Sequence, residues 1–212
     1  SLHIIVPTLR CNQKCVYCHA SSRPLDSKGY DMDKQTAEKV VDFIFQSPSH
    51  IITIEFQGGE PLLNFPIIKY VTERANEINK KHKKNIHFCI VTNLSKMDEE
   101  KMNFFIENKF NINTSLDGPK KLHKKNRPYP NGDSYEETIK WIKKFREKGY
   151  ESISALPTIT KYSLSYPKEI VDEYINLGFS HLRARPMNDA GMAIKSWGKI
   201  GYDSEEFIKF WK

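Results

Sequence analysis

The chain has 212 residues, 39% of them apolar and 28% charged, with a formal net charge of +7. That composition excludes a disordered chain and leaves enough material for one sizeable core. The apolar runs IITI and FCIV fall far short of a membrane span, and no basic, apolar leader opens the chain, so the expectation is a cytoplasmic protein without membrane contact.

Strand-like and helix-like segments alternate along the chain. HIIVPTL (His3 to Leu9) reads as the first strand and runs directly into CNQKCVYC. A helix from about Asp33 to Gln46 follows, opened by acidic capping residues. IITIEFQ (Ile51 to Gln57) is the second strand, with its helix from Phe65 to Lys81. IHFCIVTN is the third, followed by a helix from Met97 to Asn108. NINTSLD is the fourth, followed by a long basic loop and a helix from Ser134 to Lys148. SISALPT is the fifth, with a helix from Tyr166 to Leu177; HLRARPM is the sixth, and SEEFIKFWK begins a further helix.

Six βα units predict a parallel sheet with right-handed crossovers. Along the second strand Ile52, Ile54 and Phe56 share one face, while Thr53, Glu55 and Gln57 share the other. In the fourth, Asn113, Ser115 and Asp117 oppose Ile112, Thr114 and Leu116. Central strands of a doubly wound sheet are apolar on both faces. One polar face favours an opened barrel around a polar ligand, so the expected fold is α/β, a partial (β/α)6 barrel. No linker or low-complexity tract interrupts residues 1–212, which read as a single domain.

Only four cysteines occur, and Cys11, Cys15 and Cys18 lie within eight residues of one another. Random placement gives such spacing with a probability on the order of one in a thousand. Three close cysteines cannot all pair as disulfides, so a metal is the better reason. Three thiolates without a fourth nearby suit an iron–sulfur cluster that keeps one iron open. A structural zinc site wants four closed ligands, and His19 directly follows Cys18 in an awkward position to be the fourth. Cys15-Val16-Tyr17-Cys18-His19 also reads as CxxCH, the haem c attachment signature, against which stands the extra Cys11. Cys89, alone in an apolar strand, reads as a small buried hydrophobe.

In parallel βα architectures chemistry gathers at the C-terminal strand ends. There lie the cysteine loop, Gln57-Gly58-Gly59-Glu60-Pro61, Thr92-Asn93 and Ser115-Leu116-Asp117-Gly118-Pro119. Paired glycines let a ligand approach the backbone closely, and the carboxylate of Glu60 suits an ammonium group. Ser115 and Asp117 on one face suit ribose hydroxyls. Taken singly, GGEP is equally a glycine turn before a helix, and SLDGP an ordinary turn. The basic stretches KKHKK (Lys80 to Lys84) and KKLHKKNR (Lys120 to Arg127) read as solvated surface. Neither carries the interleaved aromatics of a base-stacking surface, though nucleic acid stays open as a partner.

With these motifs in view, CNQKCVYC resembles the CxxxCxΦC signature of the radical S-adenosylmethionine superfamily, Tyr17 being the aromatic before the last cysteine. QGGEP resembles the GGE motif that contacts the methionine amino group of the cofactor. QGGEPLL, TNLS and SLDGPKKLHKKNR are similar to the branch of anaerobic sulfatase-maturating enzymes and His-Xaa-Ser system maturases. The resemblance spans essentially the whole chain. It implies a [4Fe–4S] cluster on Cys11, Cys15 and Cys18 and bound S-adenosylmethionine. Tyr17, Gln57, Gly58, Gly59, Glu60, Thr92, Asn93 and Ser115 would touch that cofactor. Asp117 would hold its ribose, with Arg127 and Arg185 as candidates for its carboxylate.

The implied function is reductive cleavage of S-adenosylmethionine to a 5′-deoxyadenosyl radical that modifies a peptide or protein. A flavodoxin or ferredoxin would donate the electron. The alternatives are an RNA-modifying radical enzyme and a non-catalytic iron–sulfur or zinc module. One departure stands out: such maturases carry a cysteine-rich C-terminal auxiliary-cluster domain, and no cysteine follows Cys89 here. The reading is therefore a radical core domain over residues 1–212 without that extension.

Overall fold

The computed structural model describes residues 1–212. They form two compact units, one of Ser1–Cys11, Arg23–Thr92 and Lys96–Asn113, the other of Asn12–Ser22, Asn93–Ser95 and Thr114–Lys212. Each unit is assembled from separated segments, which is why no linker shows in the sequence.

In the first unit, β1 (Leu2–Thr8), β2 (Ile51–Gly58) and β3 (Asn85–Thr92) are hydrogen-bonded in that order, followed by the start of β4 (Asn111–Ser115). β1, β2 and β3 pair in parallel, with Ile54 between His3 and Phe88. The alternation expected of β2 holds: Ile52, Ile54 and Phe56 are wholly buried, while Thr53, Glu55 and Gln57 stay part-exposed. Phe88 stacks on Phe110 at 5.3 Å and Phe56 on Phe110 at 6.0 Å, so aromatic area fills this core.

Helices α1 (Lys34–Phe45) and α2 (Phe65–His82) bury Val41, Ile44, Ile68 and Val71. Asp33 caps α1 through the Thr36 N–H at 2.7 Å, and Asp98 caps α3 (Glu99–Glu107) through the Lys101 N–H at 2.9 Å. Each carboxylate satisfies a backbone donor that the helix itself cannot. Cys89 in β3 is buried, as its apolar surroundings imply, and desolvation raises the pKa of its thiol.

In the second unit the end of β4 neighbours β5 (Ile153–Leu156), and β6 (Thr158–Ile159) pairs in parallel with β7 (Arg185–Pro186). The sixth strand is thus two residues of the seven in HLRARPM. Pro186 has no N–H to extend a ladder. The basic stretch after β4 is not a loop but contains α4 (Lys120–Asn126), which buries Leu122, His123 and Asn126. α5 (Ser134–Glu147), capped by Asp133, buries Ile139, Trp141, Ile142 and Phe145, and α6 (Pro167–Asn176) buries Ile170 and Tyr174. α7 (Met192–Ile200) precedes α8 (Ser204–Trp211), which Asp203 and Glu206 close with a capping box. No helix is long and apolar enough to cross a membrane.

Candidate functional site

In the first unit the end of β2 is stitched to the backbone leaving β1. The Gly59 N–H donates to Thr8 O at 2.9 Å and the Glu60 N–H to Arg10 O at 2.8 Å. A Cβ on Gly58 would lie 2.4 Å from Thr8 O, and one on Gly59 2.1 Å from Arg10 O. Gly58 also has φ +131, which L side chains rarely adopt. The paired glycines are therefore required by the close approach of this segment to the end of β1 and the backbone that leads from it to Cys11. Glu60 is 1% exposed, and its Oε1 accepts from the Thr92 hydroxyl at 2.6 Å and the Leu62 N–H at 3.1 Å. Gln57 donates to Glu55. Gly58, Gly59 and Glu60 thus form one structured turn, to which Thr92 at the end of β3 is hydrogen-bonded. In the same unit the Cys11 N–H donates to Arg23 O at 2.8 Å.

In the second unit the rest of the cysteine loop is held from several directions. The Lys14 N–H donates to Pro128 O at 2.8 Å and the Val16 N–H to Asn126 O at 3.0 Å, so the chain leaving α4 runs alongside the loop. Asn12 donates to Ser95 Oγ at 2.6 Å and accepts from Asn93 Nδ2 at 3.2 Å. The Met192 N–H at the start of α7 donates to Cys18 O at 2.9 Å. Tyr17 is buried with Met187, Ala193 and Ile200, and Cys15 and Val16 pack against that cluster.

Beneath the loop lies a buried charge pair. Arg127 Nε donates to Asp117 Oδ2 at 3.1 Å, and Nη2 to Oδ1 at 3.2 Å. The Tyr17 hydroxyl donates to Oδ2 at 2.6 Å and the Thr158 N–H to Oδ1 at 3.1 Å. These contacts fill the acceptor sites of a wholly buried carboxylate. The Arg127 guanidinium sits 5.2 Å from the Tyr17 ring centroid, and its Nη1 donates towards Cys15 Sγ at 3.9 Å. Burial works against the Arg127 charge, but Asp117 more than offsets it, so the guanidinium is held protonated more firmly than usual. Burial pushes the Cys15 thiol up to about 11, with the Arg127 charge pulling the other way. Burial likewise raises the Tyr17 phenol well above its ordinary range.

The sequence reading gave Asp117 the cofactor ribose and Arg127 its carboxylate; in the structure the two are committed to each other. Asn93 is engaged with Asn12 of the cysteine loop. Arg185 is exposed in β7, and Ser115 ends β4 part-exposed. Cys11, Cys15 and Cys18 form no disulfide, and each residue is of intermediate exposure. No three His, Cys, Asp or Glu side chains converge as ligands of a single metal ion. Sequence reasoning missed Asn12, Asn126 and Gly191. A Cβ on Gly191 would lie 2.4 Å from both Cys18 O and His19 O. No local pattern around NDAGMA signals that contact.

Residues 5–174 match the Radical SAM superfamily. An uncharacterized protein of Methanocaldococcus jannaschii is 32% identical over 83% of this chain and 59% of its own length. The cysteine-type anaerobic sulfatase-maturating enzyme of Clostridium perfringens (strain 13 / Type A) is 29% identical over 95% of this chain and 55% of its own. The solved structure of native anSMEcpe with bound AdoMet and Cp18Cys peptide superposes with a TM-score of 0.77. It is 25% identical and covers 88% of this chain and 51% of that one. The chain thus spans 55–64% of the length of the first curated relatives it matches. The superposition bears out the α/β partial barrel expected from the strand pattern.

Proposed function

The chain belongs to the Radical SAM superfamily, and from that premise we propose that it generates a radical from S-adenosylmethionine to modify a peptide or protein. Its cofactors are those of the superfamily, a [4Fe–4S] cluster and S-adenosylmethionine. The observation that carries the reading is the donor set: three cysteines outside any disulfide, spaced CxxxCxxC and held in a loop tied down by backbone hydrogen bonds. Separate irons of a cluster take one thiolate each, a different requirement from the convergent ligands of a lone zinc ion.

When bound, the cluster would supply the electron for reductive cleavage of S-adenosylmethionine. The chain's own part is to bind, orient and shield. Cys11, Cys15 and Cys18 would ligate the cluster. Gly58, Gly59 and Glu60 would receive the methionine amino end, with Gln57, Thr92 and Ser115 beside the cofactor. Arg185, free of side-chain partners among the described ion pairs, remains a candidate for a carboxylate. Apolar packing around Tyr17 keeps water from one side of the loop. A flavodoxin or ferredoxin is the proposed electron donor, and a reducing compartment such as the cytoplasm suits free thiols.

A peptide substrate is favoured by the maturase relatives, one of which is solved with a peptide bound. The basic surface gives RNA little support. Lys120 pairs with Glu136 at 2.5 Å, Lys124 with Asp133 at 2.8 Å, and Lys84 Nζ donates to Ser47 O at 2.7 Å. The test uses cysteine- and serine-containing peptides deuterated at Cβ. Deuterium appearing in 5′-deoxyadenosine supports the proposal; deuterium transfer only from labelled RNA would replace it.

A further inference from the structure

We infer that Arg127 is a positioning residue for the iron–sulfur cluster, fixed by Asp117 so that its remaining N–H edge addresses Cys15. The inference rests on the cluster reading above and adds to it a role for two residues that motif reading had turned towards S-adenosylmethionine.

The geometry is specific. Nε and Nη2 grip both oxygens of Asp117 at 3.1 and 3.2 Å, which fixes the guanidinium plane. The Tyr17 ring lies 5.2 Å from its centre, and the Thr158 N–H and Tyr17 hydroxyl complete the carboxylate's contacts. Nη1, at the other end of the guanidinium from Nε, takes no part in that grip and reaches Cys15 Sγ at 3.9 Å. Buried ion pairs seldom outperform well-packed apolar residues in stability, so the pair calls for another reason to be there. A fixed cation at a ligating sulfur is such a reason. Hydrogen bonds to cluster sulfurs and the local net charge set the reduction potential, and outer partners orient the ligands. Reduction adds negative charge to the cluster, so a nearby guanidinium favours the reduced form and raises the potential.

The test reconstitutes the full chain anaerobically as wild type, Arg127→Met and Arg127→Lys. It measures iron per chain, the midpoint potential followed by electron paramagnetic resonance, and the rate of iron loss to a chelator. The expected result is a more negative potential and several-fold faster iron loss in Arg127→Met, with Arg127→Lys between it and wild type. Arg127→Met with wild-type potential and wild-type iron loss overturns the assignment. Should Arg127→Met fail to fold by circular dichroism, Arg127→Lys decides: it keeps the charge but not the two-pronged grip. Faster iron loss than wild type then supports the assignment, and a wild-type rate overturns it. A wild type that takes up no iron overturns the cluster reading as well, and so is told apart from failure of this assignment alone.

Discussion

The Tyr17 hydroxyl donates to Asp117 Oδ2 at 2.6 Å, joining residues 100 apart in sequence. It ties the aromatic of the cysteine motif to the acid of SLDGP through the same carboxylate that holds Arg127. Removing the hydroxyl leaves three of the four donors in place, whereas neutralising the acid leaves a buried guanidinium without its counter-charge. Tyr17→Phe should therefore cost about 1–2 kcal/mol and Asp117→Asn about 3–5 kcal/mol in apo-protein stability. Denaturant midpoints measure both, and equal losses would contradict the arrangement.

The QGGE turn makes a second prediction. A methyl group on Gly59 would overlap the Arg10 carbonyl, which is backbone and cannot swing aside. Gly59→Ala should push apart the two segments that Gly59 and Glu60 join and destabilise the fold by about 3 kcal/mol or more. Thermal unfolding reads the loss, and iron uptake on reconstitution should fall with it. A wild-type melting temperature would show that the turn yields more easily than its packing implies.

Gly191 makes the corresponding contact with the other end of the cysteine loop. It adopts φ 59 and ψ −124, and a Cβ there would meet Cys18 O and His19 O. Gly191→Ala should disturb the loop at Cys18 while leaving the first unit's core unaffected. Alkylation mapped by mass spectrometry should show faster labelling of Cys18 in the apo variant, and unchanged labelling would contradict the contact.

His123 supplies a pH dependence. Burial lowers its pKa to about 4, with the nearby Arg127 charge acting in the same direction and Asp117 opposing. Its Nδ1 accepts the Asp117 N–H at 3.3 Å, so the folded state holds the neutral ring. The unfolded chain binds a proton near pH 6.5 and the folded chain does not until about pH 4, so stability falls as pH drops through that window. The contribution is up to about 3 kcal/mol. His123→Gln keeps an acceptor without the titration and should flatten this part of the stability profile, measured by urea unfolding at stepped pH.

Much of the fold was legible because local chemistry and the final structure agree. Asp33 and Asp98 stand before their helices as caps, and Ile52, Ile54 and Phe56 alternate as a half-buried strand must. α4 escaped because KKLHKKN carries one apolar residue, too few to reveal a period, and its buried face is completed by His123 and Asn126. α7 escaped because the helix follows a glycine whose need is tertiary. In the candidate site, the cysteine spacing and GGE stood out because both are local patterns. The pairing of Asp117 with Arg127 did not, because a sequence shows two polar residues near a cofactor motif and cannot show that they face each other.

The proposed function stands or falls with a cluster on Cys11, Cys15 and Cys18 that cleaves S-adenosylmethionine. The most direct measurement is 5′-deoxyadenosine formation by the anaerobically reconstituted chain with S-adenosylmethionine and a strong reductant, beside Cys11→Ala, Cys15→Ala and Cys18→Ala. The wild type should form 5′-deoxyadenosine and the three variants none, with the cluster's visible absorbance lost in parallel. Undiminished 5′-deoxyadenosine from any of the cysteine variants would contradict it.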